Sequence, residues 1–210
     1  MSTNWDGIVS ELRDKAQAMH QGREAGLVKC RALVQASSRC IRHIHRHQFA
    51  EAEQLLAQAK SIAADAREAL KPFPELYHAG YLHDSEKEMV EAAAVLAIVS
   101  GAAYPTPQEL GAGTMAYLNG MGEAASEVRR YCLDLMRSGD LQASEEILLQ
   151  METIYDDLIT FDFPDAMTGG LRRTCDALRA VIERTRSDLT ATASQHELVR
   201  ELRATREKLS

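Results

Sequence analysis

The sequence predicts an all-α protein, a seven-helix up-and-down bundle, and three observations carry that expectation. The 210 residues are 45% hydrophobic but only 5% aromatic, with 5 Pro and 12 Gly, which disfavours a β-sandwich, a collagen-like repeat or a disordered tail. The chain breakers gather in four places, so the segments between them are long. Within those segments apolar residues recur at helical spacing, and no strand alternation survives the same test. A chain of this length reads as one domain, residues 1–210, able to bury a sizeable core.

The first helix, near 5–46, is the clearest. With Arg39 at 0° on a wheel of 100° steps, Leu33, Ile44, Cys30, Ile41, Val34 and Leu27 fall between about 120° and 240°. Arg31, Gln35, Arg42, Arg46 and Arg39 fall between about 280° and 360°. One face is core and the flanking face is an arginine stripe. A second helix, near 48–70, ends at Lys71-Pro72-Phe73-Pro74. A third, 81–100, ends at the run Gly101 to Gly113, which contains Pro105 and Pro107. A fourth, 114–138, stops at Ser138-Gly139-Asp140, and a fifth, 140–160, at Phe163-Pro164 through Gly169-Gly170. The last two are expected near 170–190 and 193–208. Connections this short favour a bundle over an α/β fold.

The net charge is −7, which argues against a uniformly basic nucleic-acid coat but leaves room for a local patch. The basic set is 18 Arg to 6 Lys, and Arg is the better planar donor to phosphate. Cys30, Cys40, Cys132 and Cys175 show no CxxC spacing, so they read as reduced thiols of a cytoplasmic protein. MSTNWDGIVSELRDKAQ lacks a basic region followed by an apolar one, and no apolar run reaches the roughly 18 residues of a membrane span. No membrane association is expected.

Carboxylates supply the chemistry. Asp84, Glu88 and Glu91, at i, i+4 and i+7, lie within about 60° of one another on the third helix. The run Ala92 to Val99 that follows is almost wholly apolar, which places Glu91 at the edge of a core. Glu123 and Glu127 form a second pair, about 40° apart, among the small residues Gly120, Gly122, Ala124 and Ala125. Like charges this close repel by several tenths of a kcal/mol. Water or an arginine offsets that on most acidic helix faces; the other offset is a divalent cation. If the third and fourth helices pack together, four carboxylates converge, and an all-oxygen site of that kind suits Mg²⁺ or Mn²⁺.

These motifs together resemble the translin family, in its catalytic branch of translin-associated factor X proteins and their archaeal and bacterial single-chain relatives. The resemblance runs through Ser37-Ser38-Arg39-Cys40-Ile41-Arg42-His43-Ile44-His45-Arg46, Ala79-Gly80-Tyr81 and Glu88-Met89-Val90-Glu91-Ala92. It continues through Tyr117-Leu118-Asn119-Gly120, Glu123, Glu127, Arg129-Arg130, Phe163-Pro164-Asp165-Ala166-Met167-Thr168 and Gly170-Leu171-Arg172-Arg173. It implies a seven-helix fold, closed homo-oligomers with octamers among them, binding of single-stranded RNA or single-stranded DNA, and Mg²⁺-dependent endonucleolytic cleavage of RNA. The family's metal-binding and catalytic acids fall on Glu88, Glu91, Glu123 and Glu127. Non-catalytic translin subunits lack the first two. The catalytic branch often has Asp where this chain has Glu123, and the extra methylene reaches about 1.5 Å further, which makes Asp84 a compensating ligand candidate.

For the nucleic acid, the first choice is Arg39, Arg42 and Arg46, with Arg129 and Arg130 beside the second acidic pair; the alternative is that Arg129 and Arg130 pair with the glutamates. Tyr77, His78, Tyr81 and His83 precede the acidic helix, where rings either stack on unpaired bases or pack a helix corner. His43-Ile44-His45-Arg46-His47 looks metal-binding, but His43 and His45 are about 160° apart. Glu75-Leu76-Tyr77-His78 imitates half of a di-iron motif and has no second half. Two competing functions remain: a protein that sequesters single strands without cutting, and an all-α nucleoside-triphosphate pyrophosphohydrolase. The latter leaves the arginine stripe unexplained. Near 140–160, Leu141, Ile147, Leu148, Leu149, Met151, Ile154, Leu158 and Ile159 exceed one core stripe, so some are expected between subunits.

Overall fold

The first helix runs unbroken for 41 residues because no proline stands between Asn4 and Ile44, and two of its three glycines, Gly22 and Gly26, are used for close approach. A computed structural model describes residues 4–209, and among them every regular element is helical. In chain order these are α1 (Asn4–Ile44), α2 (Phe49–Leu70), α3 (Pro74–Tyr77), α4 (Tyr81–Ser100), α5 (Pro107–Leu110), α6 (Thr114–Glu127), α7 (Arg129–Ser138), α8 (Leu141–Leu158), α9 (Asp165–Thr168) and α10 (Leu171–Lys208). The all-α class is as expected, and seven elements exceed a single turn, but they are not the expected seven.

Two boundaries differ. The expected 114–138 helix is broken at Val128, where no Gly or Pro stands. The expected break at 190–193 is absent, and α10 is continuous. Thr190 and Thr192 are weak helix formers, and their hydroxyls donate back to the Arg186 and Asp188 carbonyls at 2.8 Å each within the unbroken helix.

The chain forms two compact units. One comprises the chain up to Ala93 with Pro105–Tyr117, the other Ala94–Tyr104 and the chain from Leu118, so the division passes through α4 and α6. In the first unit α1 and α2 make a hairpin. Ala52, Ala59, Ala63 and Ala66 on α2 are fully buried, and small side chains let the two backbones come close. A Cβ on Gly26 would fall 2.5 Å from Leu70 Cδ2, and one on Gly22 would fall 2.4 Å from Phe73 Cε2. Cys30, Ala66, Leu70 and Leu82 continue this core, with Leu76, Tyr77 and Tyr81 packed against it. His47, at φ 57°, turns the chain between α1 and α2, a left-handed conformation uncommon outside Gly and Asn-like residues.

In the second unit α7, α8 and α10 pack on one another through Cys132, Met136, Met151, Ile154, Leu178 and Ile182. Gly139, at φ 86°, ends α7, and the Asp140 carboxylate caps α8 by accepting from the Ala143 N–H at 3.1 Å. Among the described residues no helix is long and apolar enough to cross a membrane.

All four thiols are free and buried. Burial pushes Cys40 up to about 12 and Cys132 up to about 11 from an ordinary 9.0. Below pH 9 folded and unfolded thiols both keep the proton. As pH rises from 9 towards 12 the unfolded thiol ionises and the folded one does not, so stability falls across that window. Thiolate is the reactive form, so native protein at pH 8 resists iodoacetamide at both positions. Mass spectrometry will show rapid labelling of Cys40 and Cys132 only after urea is added; rapid native labelling would contradict the burial.

Candidate metal centre

Each acidic helix is held by a polar clasp. On α4, Glu86 is only 5% exposed, and a buried carboxylate needs a counter-charge. Arg67 of α2 supplies it, Nη1 donating to Glu86 Oε1 at 2.8 Å, while the Gly113 N–H donates to Oε2 at 3.2 Å. The guanidinium lies against Gly111, where a Cβ would come 2.6 Å from Nη2, and Gly111 also adopts φ 62°. Glu86 points about 140° to 160° away from Glu88 and Glu91 around the helix, so the clasp sets the rotation of α4. Removing one partner of such a pair costs about 3–5 kcal/mol. Arg67→Ala will lower urea-unfolding stability by about 3 kcal/mol; a loss under about 1 kcal/mol would show that the clasp is dispensable.

On α6 the clasp is Asn119, 1% exposed. Its Nδ2 donates to the Thr168 carbonyl at 2.8 Å, and its Oδ1 accepts from the Thr174 hydroxyl at 2.9 Å. Two of the motifs that carried the family resemblance thus meet. Gly122 is required where it stands: a Cβ there would fall 2.7 Å from Thr174 Cγ2 and 3.2 Å from Leu158 Cδ1. Glu123 follows Asn119 by one turn, so the clasp fixes its direction.

Glu88 and Glu91 are half-buried on α4 in the first unit, about 60° apart around the helix, and Glu123 is half-buried on α6 in the second. Hard divalent cations take oxygen ligands at roughly 2.0–2.6 Å, and carboxylates of this kind fit Mg²⁺ or Mn²⁺. Glu127 is half-buried at the end of α6, whereas Asp84 is exposed. Asp84 instead lines a cavity with Leu27 and Tyr81.

Arg39 and Arg42 are exposed on α1 and Arg46 in the turn after it, and among the described residues none makes an ion pair or hydrogen bond through its side chain. Arg130 is exposed. Arg129 is one-fifth exposed and donates to Asp188 Oδ2 at 2.7 Å and to Thr185 Oγ1 at 2.9 Å. Its carboxylate partner is therefore on α10 rather than among the glutamates. Tyr77 and Tyr81 pack against the first unit's core, and Tyr77 meets His78 edge-on at 5.2 Å, which is the corner-packing alternative. Sequence reasoning missed Glu86, read only as one charge in an acidic run; its place directly before a buried stretch was the available signal.

Among the described residues the chain is all-α, and Arg39 and Arg42 of α1 stand exposed and unpaired. Three solved structures share its fold. AfC3PO, from Archaeoglobus, is 34% identical with a TM-score of 0.83, over 90% of this chain and 98% of that one. It is also solved as a complex with duplex RNA, at the same identity and TM-score and 97% coverage of that chain. Apo-NeC3PO is 22% identical with a TM-score of 0.79, over 91% of this chain and 98% of that one, which speaks for the fold alone. A curated relative, an uncharacterized protein of Methanocaldococcus jannaschii, is 28% identical over 170 residues, 80% of this chain and 74% of its own length. No family model matches the chain. The chain belongs to the translin family, among its C3PO proteins.

Proposed function

We propose that this protein is a Mg²⁺-dependent, single-strand-specific endoribonuclease that works as a homo-oligomer. The observation that carries the reading is that Glu88, Glu91, Glu123 and Glu127, all half-buried, stand on the positions where the family resemblance puts metal-binding acids. The 34%-identical AfC3PO, solved with duplex RNA, supports nucleic acid as the ligand.

Glu88, Glu91 and Glu123 hold the ion. When bound, Mg²⁺ supplies positive charge to phosphate oxygens and makes water more acidic. Glu127, one turn beyond Glu123, orients the attacking water and accepts its proton at a carboxylate oxygen. Arg39, Arg42 and Arg46 bind phosphates of the strand, and exposed Arg130 adds a further contact. Arg129 serves mainly to hold α10 through Asp188.

Association between copies is supported by apolar side chains left exposed. Of the surplus on α8, Leu149 is 63% and Ile159 48% exposed, and on α10 Leu198 and Leu202 are each 60% exposed. We place closed assemblies, octamers among them, on these surfaces. Buried free thiols suit a reducing compartment and support the cytoplasm as the site of action.

The test is cleavage of an end-labelled single-stranded RNA and of its duplex, with Mg²⁺ and with EDTA, with gel-shift binding in the same samples. Metal-dependent cutting of the single strand supports the nuclease. Tight binding with intact RNA in every lane replaces it by a sequestering protein.

A further inference from the structure

We infer that the cavity between the middle of α1 and the start of α4 is a nucleobase subsite, selective for bases that carry an exocyclic amino group. This rests on the single-strand-binding reading above. The cavity has a volume of about 390 Å³, within the range of about 300–1,000 Å³ typical of small-molecule sites. Leu27, Val34 and the Tyr81 ring form apolar walls, and Arg31, Gln35 and Asp84 bring polar groups to it. Apolar walls with an aromatic ring and a few hydrogen-bonding side chains suit a flat heteroaromatic ring.

The polar groups are uncommitted. Among the described residues Gln35 and Asp84 make no side-chain hydrogen bond or ion pair, and Arg31 uses only Nε, on the Leu27 carbonyl at 3.2 Å. The Tyr81 hydroxyl is buried without a partner, a polar group the chain itself leaves unsatisfied.

Charge decides which part of a nucleotide enters. Asp84 repels a phosphate but accepts from an amino group, as acidic side chains do from the cytosine N4 amine. Arg31 sits at one end of the stripe that continues through Arg39 and Arg42, a track of about 16 Å along α1, with Arg46 in the turn beyond it. Phosphates therefore follow the arginines while a base turns inward. On α4, Asp84 precedes Glu88 by one turn, about 6 Å along the axis, and shares its face within about 40°. A base held by Asp84 lies about one nucleotide from the acidic group, so the subsite reads the residue beside the cut. A paired base has its amino group already engaged, which would add to single-strand preference.

The experiment is fluorescence anisotropy of labelled oligocytidylate and oligouridylate of equal length, in EDTA so that nothing is cut. The two strands differ at each base in an N4 amine beside an N3 acceptor in cytosine against an O4 carbonyl beside an N3–H in uracil. Wild type is expected to bind the cytidylate about ten-fold more tightly. Asp84→Asn should bring the ratio below about two-fold, and because Asp84 is exposed its folding is not at stake. Gln35→Ala, also exposed, should weaken both strands. A wild-type ratio near one, or a ratio unchanged in Asp84→Asn, overturns the subsite while leaving strand binding intact. Failure of wild type to bind either strand overturns the reading beneath it as well.

Discussion

Replacing Glu123 by alanine is expected to abolish Mg²⁺-dependent cutting of single-stranded RNA while gel-shift affinity stays within about two-fold. Glu123 is one of the proposed metal ligands. Mutating groups that merely support metal ligands already costs about 10–100-fold, so loss of a ligand should cost at least about 100-fold in rate. Raising Mg²⁺ concentration should restore part of the activity in Glu123→Asp, whose carboxylate is shorter by one methylene, and none in Glu123→Ala. A Glu123→Ala protein that cuts at more than a tenth of the wild-type rate would remove the acidic group from the mechanism. Because the side chain is only half-buried, a fold defect is readily separated from this effect by an unchanged circular-dichroism melt.

The triple change Arg39→Ala, Arg42→Ala, Arg46→Ala should weaken single-strand binding on the order of 100-fold at low salt, from about a kcal/mol for each charged group that meets a phosphate. The slope of log K against log salt should fall by about 2, near 0.7 for each phosphate that these arginines would neutralise on a single strand. They have no partner within the described chain to give up, so the unfolding midpoint should move little. An unchanged slope would put the strand elsewhere. The paired comparison with Arg129→Ala is informative in the opposite sense: that change breaks an ion pair to Asp188 and should show first as reduced stability.

Much of the fold was legible because Pro and Gly stop helices by local chemistry. Lys71-Pro72-Phe73-Pro74 and Ser138-Gly139-Asp140 end helices where expected. The interruption at Val128 was not legible, since Ala124 to Arg130 contains nothing that forbids a helix, and it is slight: Val128 keeps right-handed angles, and the Val128 and Cys132 N–H groups still donate to the carbonyls four residues back. The continuity of α10 was not legible either, because Thr190 and Thr192 suit a turn as well as a helix interior. The candidate acids stand at a helical spacing that sequence shows directly. What holds their helices does not show there, because each helix has a different clasp, Arg67 with Glu86 on α4 and Asn119 with Thr168 and Thr174 on α6. The Arg129–Asp188 pair spans 59 positions, and no periodicity reports an interaction of that range.

The exposed arginines of α1 give the molecule a polarity that its total charge conceals. An isoelectric point near 5.5 would assign it to anion exchangers and away from heparin. A helix face carrying unpaired guanidinium groups should still be held by a sulfated matrix despite that total, and rising ionic strength should release it.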